Sequence, residues 1–455
     1  MKEALIDLAH KIISRARGKG FSDLEFYGTW RKEIDIEISR NKIKAVRDRV
    51  IIEYGVLGAI GKKIGSIGSE DLSIDVDKLL DQLTSIVKAS REDENWKGFA
   101  RKYGRGPEAP GYDKELENIT HEQAVEILVD SMKTATETAK KYGAEEVIVS
   151  EGSYSVYIGG VYVANIDGEE QYGEYTANGV GFEVKSRKAG EESSYYVFYQ
   201  SRKLEVDEIM RESRRGGEYS VKFIGAKPVE SGEYTILLDP YMTALFISTA
   251  LVPAFSALEV QENRSPLKGR LGQQVLSENI EVLDDPTIEW GIGTRPFDDE
   301  GIATSKKTLI EKGVLKTYLY NYYTAVRENR ESTGNGFRRE PSAQTRPGPT
   351  NFVLMGRSDL MSKDEMLNEI KKGIIVHGMI GYWMSNYVNG STQATISHGL
   401  LVENGEVKRA VKGVVLGGNI YEWLGRSLRG VGKELRKVGN IYAPAILFEK
   451  GKIAG

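Results

Sequence analysis

A chain of 455 residues is too long for one ordinary core and calls for two or three domains. Hydrophobic and charged contents of 40% and 28% suit a soluble globular protein, and a net charge of −4 with interspersed signs argues against nucleic acid, whose binders need a basic face. The absence of cysteine excludes disulfides, thiolate metal sites and a cysteine nucleophile.

Residues 3–17 place apolar and charged positions at helical spacing, and Gly18 and Gly20 end that helix. Its charges run throughout, unlike those of a signal peptide. LEFYGTW and KEIDIEIS then alternate with period two, the mark of half-exposed strands, and IIEYGVLGAIGKKIGSIG continues the pattern. A helix around 75–89 precedes the polar, Gly/Pro-rich REDENWKGFARKYGRGPEAPGYD, where a domain boundary is expected near 110.

Thr120 opens the next helix, with Gln123 completing a capping box and Gly143 just past the last turn. From Val147 to about Gln200 the pattern is strand-like, with Asp167-Gly168 as a hairpin turn. A charged helix near 204–215 leads to a second boundary near 225. The spacing therefore predicts an α+β protein. An N-terminal α/β domain spans 1–110, a capped helix followed by strands fills 111–225, and a mostly antiparallel β domain with a buried helix fills 226–455.

That last part starts with the strand EYTILLD, and Asp239-Pro240 supplies a helix N-cap and first position. The uncharged stretch Tyr241 to Leu258 carries Thr243, Ser248, Thr249, Pro253 and Ser256, so it reads as a core helix and not a bilayer span. No membrane contact and a cytoplasmic location are expected. TLIEKGVLKTYLY and GLLVENGEVKRAV read as hairpins, the second turning at Asn404-Gly405. A helix near 362–372 is capped by Ser362 with Glu365 three residues on.

Few residues carry chemistry by pattern alone. His121-Glu122 begins like a helical zinc motif, but no second histidine follows, and a helix start is the better reading. His10, His377 and His398 show no ligand spacing and read as structural. Asp298, Asp299 and Glu300 precede Gly301; they could hold a hard cation, yet a solvated turn is favoured. A hydrolytic site around Asp298, Asp299 and His398 is the least favoured reading. The stretch Glu331 to Asn351 is long, aperiodic and rich in Gly, Pro and Arg. Loops of that length are usually functional or disordered. Arg338, Arg339 and Arg346 could receive a carboxylate there, from a substrate or a second subunit. Plain surface loop and binding loop both remain open, and Asn351, Asp298 and Asp299 join the contact candidates.

Longer runs resemble the TldD/PmbA family, once called modulators of DNA gyrase. The matching text is RPFDDEGIATSKKTLIEKGVLKTYLYNYYTA, STGNG with the following RR, GPTNFVLMG, GLLVENGEVKRAVKGVVLGGN and the closing KIAG. A looser match covers IEISRNKIKAVRDRVIIEYGVLGAIGKKIGSIGSED. The resemblance implies a metallopeptidase family with two kinds of member. TldD-type chains carry HExxxH on a helix and a C-terminal cysteine, which hold zinc; PmbA- or TldE-type chains lack them and pair with a TldD-type chain.

The family's helix falls on TALFISTALVPAFSALE, which places Leu251, Val252 and Ser256 at the motif's histidine, glutamate and second histidine. Its cysteine falls near Ala443. The resemblance thus implies a chain with no catalytic residue, metal or cofactor of its own, working beside a zinc-bearing TldD-like subunit on peptides or unstructured segments. The alternative is a free-standing homodimeric peptide-binding protein.

Overall fold

The period-two stretches of the first half become six long strands in a computed structural model that describes all 455 residues. They are β1 (Asp23–Ser39), β2 (Lys42–Ile60), β3 (Lys63–Ser69), β4 (Glu146–Asn165), β5 (Glu170–Lys188) and β6 (Glu191–Ser201). Their order is β3-β2-β1-β4-β5-β6, with every neighbouring pair antiparallel. Arg40-Asn41 and Ala189-Gly190 turn β1 into β2 and β5 into β6, all four residues at positive φ. Such two-residue turns match the twist of the strands they join.

Helices cover one face of this sheet: α1 (Lys2–Ala16), α2 (Val76–Ala89), the single turn α3 (Lys114–Glu117), α4 (His121–Lys141) and α5 (Val206–Lys222). The expected capping box of Thr120 and Gln123 is formed at the start of α4. Leu5, Leu8 and Ile12 of α1, Leu79, Leu80 and Leu83 of α2 and Leu128 of α4 share one core with Phe26, Tyr54, Val156 and Phe182.

The boundary expected near 110 needs correction. β1 pairs with β2 on one side and with β4 on the other, so residues 1–110 and 111–225 build one sheet and one core. The polar stretch between them has a linker's composition but not a linker's freedom. Gly104 donates to the Gly301 carbonyl at 3.0 Å and Gly106 to that of Pro296 at 2.7 Å, which ties it to the C-terminal half. Near 225 the chain leaves α5 and enters a second sheet.

That sheet comprises β7 (Gly232–Leu238), β8 (Ile280–Asp284), β9 (Lys307–Glu311), β10 (Val314–Leu315), β13 (Phe352–Gly356), β14 (Lys372–Ile380), β15 (Ser391–Glu403), β16 (Glu406–Val411), β17 (Val414–Asn419), β18 (Leu428–Val438) and β19 (Ile441–Ala454). A separate two-stranded ribbon pairs β11 (Gly336–Phe337) with β12 (Arg346–Pro347) inside the Gly/Arg-rich stretch. Because β19 pairs with β7 as well as β17, strands β7, β14, β15, β17 and β19 close into a barrel.

The helix α6 (Pro240–Ala250), capped by Asp239, packs into this barrel's core. Met242, Phe246, Ile247 and Ala250 share it with Ile236, Val376, Ile396, Leu416 and Phe448. A helix apolar all round belongs inside such a wall. No helix is long and apolar enough to cross a membrane. The fold is α+β, with helices gathered on the first sheet and a largely antiparallel second half around a buried helix. The two halves meet along α5, where Tyr219 and Phe223 pack against Leu237, Met366 and Ile375, and on the face of the first sheet opposite its helices, where Tyr27, Val161 and Val163 pack against Phe297.

Candidate functional site

The meeting of the two halves is organised by the acidic turn that follows Phe297. In place of a solvated turn, Asp298, Asp299 and Glu300 are 0%, 4% and 6% exposed. Burial is tolerable because nearly every carboxylate oxygen receives a donor. Asp298 accepts the backbone N–H groups of Glu300 and Ile302 at 3.0 Å each and of Gly336 at 2.8 Å. Asp299 accepts Tyr27 Oη–H at 3.0 Å, Arg295 Nη1 at 2.7 Å and the Arg338 N–H at 2.8 Å. Glu300 accepts the Thr345 hydroxyl at 2.5 Å and the Tyr322 N–H at 2.7 Å.

Burial lifts Asp298 well above the usual carboxylate range. It raises Glu300 to about 7, against the bonds from Thr345 and Tyr322, which favour the ionised form. Burial also raises the Tyr27 phenol, and the neighbouring Asp299 adds to it. All three carboxylates thus hold the Gly/Arg-rich stretch to the turn, and Asp299 also ties it to the first sheet through Tyr27.

The four sequence candidates in that stretch separate. Arg338 is an internal residue: its guanidinium pairs with Glu25 of β1, the side chains 2% and 1% exposed, and also reaches the Ala343 carbonyl. Its charge is spent within the chain. Asn351 is buried too; it accepts the Gly293 N–H at 2.9 Å and donates to the Asp285 carbonyl at 2.8 Å and to Thr294 Oγ1 at 2.9 Å. Arg339 and Arg346 are exposed. Arg346 opens on a cleft of about 240 Å³ at the junction, together with Glu25, Glu300, Asn321, Leu258 and Glu262.

This cleft borders the segment where the resemblance puts the metal motif. There α6 stops after Ala250 and the chain passes through a 3₁₀ turn, Val252–Phe255, which contains Pro253, into the short helix α7 (Ala257–Gln261). Proline cannot donate to a continuing helix. Leu251 and Ala443 are fully buried in the barrel core, Val252 packs against it and Ser256 is 6% exposed. The first carboxylate beyond them, Glu259, is tied to Arg264 at 2.7 Å and to the Tyr387 hydroxyl at 2.8 Å. Nowhere do three or more His, Asp or Glu side chains converge as a metal's ligands would. Zinc wants four tetrahedral N, O or S positions. The side chains at these positions do not fit it.

The histidines are scattered. His10 meets Glu170 at 2.9 Å and His121 meets Asp48 at 2.6 Å, both near the surface. His398 Nε2 lies 2.6 Å from the Ser194 carbonyl of β6, and its ring stands edge-on to Phe223, so it does not join Asp298 and Asp299. His377 Nδ1 lies 3.0 Å from Asp239 Oδ2, which also receives Arg215 at 2.6 Å. Residues that the sequence did not single out, Glu25, Tyr27, Arg295 and Thr345, complete the junction. Strand parity was the one available signal: Leu24 and Phe26 face the helices while Glu25 and Tyr27 face the other half.

Residues 231–455 match the PmbA/TldA metallopeptidase C-terminal domain. An uncharacterized protein of Methanocaldococcus jannaschii is 31% identical over 346 residues, 75% of this chain and 76% of that protein. A metalloprotease of the same organism is 30% identical over 324 residues, 68% of this chain and 66% of that one. In three dimensions the chain resembles TldE from Thermococcus kodakarensis, with a TM-score of 0.86 at 27% identity, covering 98% of this chain and 100% of that one.

Proposed function

Because the chain belongs to the PmbA/TldD family, we propose that it is the metal-free, non-catalytic subunit of a heteromeric cytoplasmic metallopeptidase. Its partner is a TldD-type chain that holds the zinc, and the pair acts on peptides or unstructured segments. The observation that carries this reading is the replacement of ligands by packing: Leu251 and Ala443 are fully buried apolar residues where the family's metal-bearing members are expected to hold donors.

The chain's own part is then surface. The polar cleft that contains Arg346 and Glu300 offers a charged wall to an extended chain. The far side of β2 offers backbone groups. β3 covers only Tyr54–Ile60, so residues 42–53 pair with β1 alone. An unpaired edge of that kind can take an added strand.

The test assays an unstructured peptide with this chain alone, a TldD-type partner alone and the two together. Chelator-sensitive cleavage is expected only from the mixture. Chelator-resistant cleavage by this chain alone, or full-rate cleavage by the partner alone, would refute the proposal. A self-dimer that binds peptide without raising the partner's rate would favour a free-standing peptide-binding protein.

A further inference from the structure

On the other side of the acidic turn from the cleft lies a second cavity of about 170 Å³, lined by Arg105, Arg202, Arg295, Tyr175, Phe297 and Gly111 among others. Its three arginines are not equivalent. Arg295 is neutralised by Asp299 at 2.7 Å and Arg105 by Glu108 at 2.7 Å. Arg202 has no carboxylate partner, although it is only 9% exposed.

The Arg202 guanidinium stacks 5.5 Å from the Tyr175 ring centre and gives Nε and Nη2 to a single acceptor, the Ile292 carbonyl, at 3.2 and 2.8 Å. A guanidinium has five N–H donors, so three are unspent. The Nη1 side faces Gly111, where a Cβ would stand only 3.1 Å from it. Glycine there keeps that approach open. Burial and the neighbouring Arg295 together bring Arg202 down to about 10, which leaves it fully charged in neutral solution. A buried cation without a counter-charge is costly unless something supplies one.

We propose that Arg202 anchors a carboxylate-binding pocket, with the ligand's oxygens on its Nη1 side between the rings of Tyr175 and Phe297. Asp299 and Glu108 are engaged by their own arginines, so Arg202 is the one arginine of the lining without a carboxylate partner. Glu174, which also lines the cavity and accepts the Tyr172 hydroxyl at 2.7 Å, brings the lining to three arginines and three carboxylates, so a monoanion is favoured over a dianion such as phosphate. The carboxylate can come from a peptide's C-terminus or from an acidic side chain. The pocket is a property of this chain and does not depend on its having a catalytic partner.

Calorimetric titration of the full chain with three peptides tests it. One is N-acetylated with a free C-terminus and no acidic residue, the second is its C-terminal amide, and the third is an amide with one internal Asp. At least one carboxylate-bearing peptide is expected to bind about tenfold or more tightly than the plain amide, the effect of one charge-assisted contact. Which one does so identifies the source of the carboxylate. In Arg202→Met, verified as folded by circular dichroism, that preference is expected to vanish. Equal binding of all three peptides by the wild-type chain overturns the proposal even if the variant does not fold. So does a folded variant that keeps the preference.

Discussion

Replacing Arg338 with Met puts the strongest demand on this account of the junction. The substitution keeps most of the side chain's volume and removes the partner of Glu25, whose side chain is 1% exposed. Breaking a buried pair by removing one member costs about 3–5 kcal/mol. Proton uptake sets a ceiling. Glu25 can escape its unpaired charge by protonating, at roughly 1.4 kcal/mol per pH unit above the ordinary glutamate value of about 4.3, or ~4 kcal/mol at pH 7.

The pH dependence follows. In the variant the buried carboxyl is raised in the folded state only, so stability is regained as pH falls towards its unfolded value; at pH 5 the protonation penalty is only ~1 kcal/mol. The double variant Glu25→Gln, Arg338→Met carries no charge and is expected to recover most of the loss at pH 7. Urea unfolding should be followed at both pH values by tryptophan fluorescence and by far-UV circular dichroism. The two probes reveal whether the halves still unfold together. A single variant within ~1 kcal/mol of wild type at pH 7, or a loss that does not change with pH, would show that Glu25 does not depend on Arg338 for its buried charge.

Two further outcomes follow from the same buried charges. Glu300, raised from 4.5 to about 7, favours the protonated folded form, so its contribution to stability is present below 4.5 and falls by roughly 3 kcal/mol as pH rises through about 7. Glu300→Gln, whose amide can still face the Thr345 hydroxyl, should flatten that slope and gain on wild type at pH 8 in thermal melts. Asp239, held at about 2 by Arg215 and His377 against its burial, contributes stability that is present above 3.8 and lost as pH falls through about 2. Asp239→Asn keeps an oxygen to cap Met242 but strands Arg215, so a loss of about 3–5 kcal/mol at neutral pH and a shallower acid transition are expected by circular dichroism.

What was legible in the sequence was local. The capping boxes at Thr120 and Ser362 and the Asp239-Pro240 start are formed as the residues suggest, since a cap needs partners only two or three positions away. Arg40-Asn41 and Ala189-Gly190 do not look like hairpin turns, because Arg and Ala rarely accept positive φ; the long flanking ladders impose it. The stretch near 110 looked like a linker, because composition cannot show that Gly104 and Gly106 bond to Gly301 and Pro296. The acidic turn looked solvated for the same reason: its donors at Gly336, Arg338 and Thr345 arrive from a distant loop.

Arg202 and Arg338 show the same divide between local pattern and fold. In the sequence, Arg338 sits in a glycine-rich loop with the composition of a binding site, while Arg202 follows an ordinary strand. In the fold the roles reverse. Arg338 is neutralised by a glutamate from the far end of the chain, and Arg202 is left beside a cavity with a carbonyl as its only acceptor. Both are buried guanidinium groups, and burial penalises both charges. What separates a structural arginine from a binding one is therefore whether the chain supplies its counter-charge. β1 supplies it for Arg338 through Glu25, and no element supplies it for Arg202.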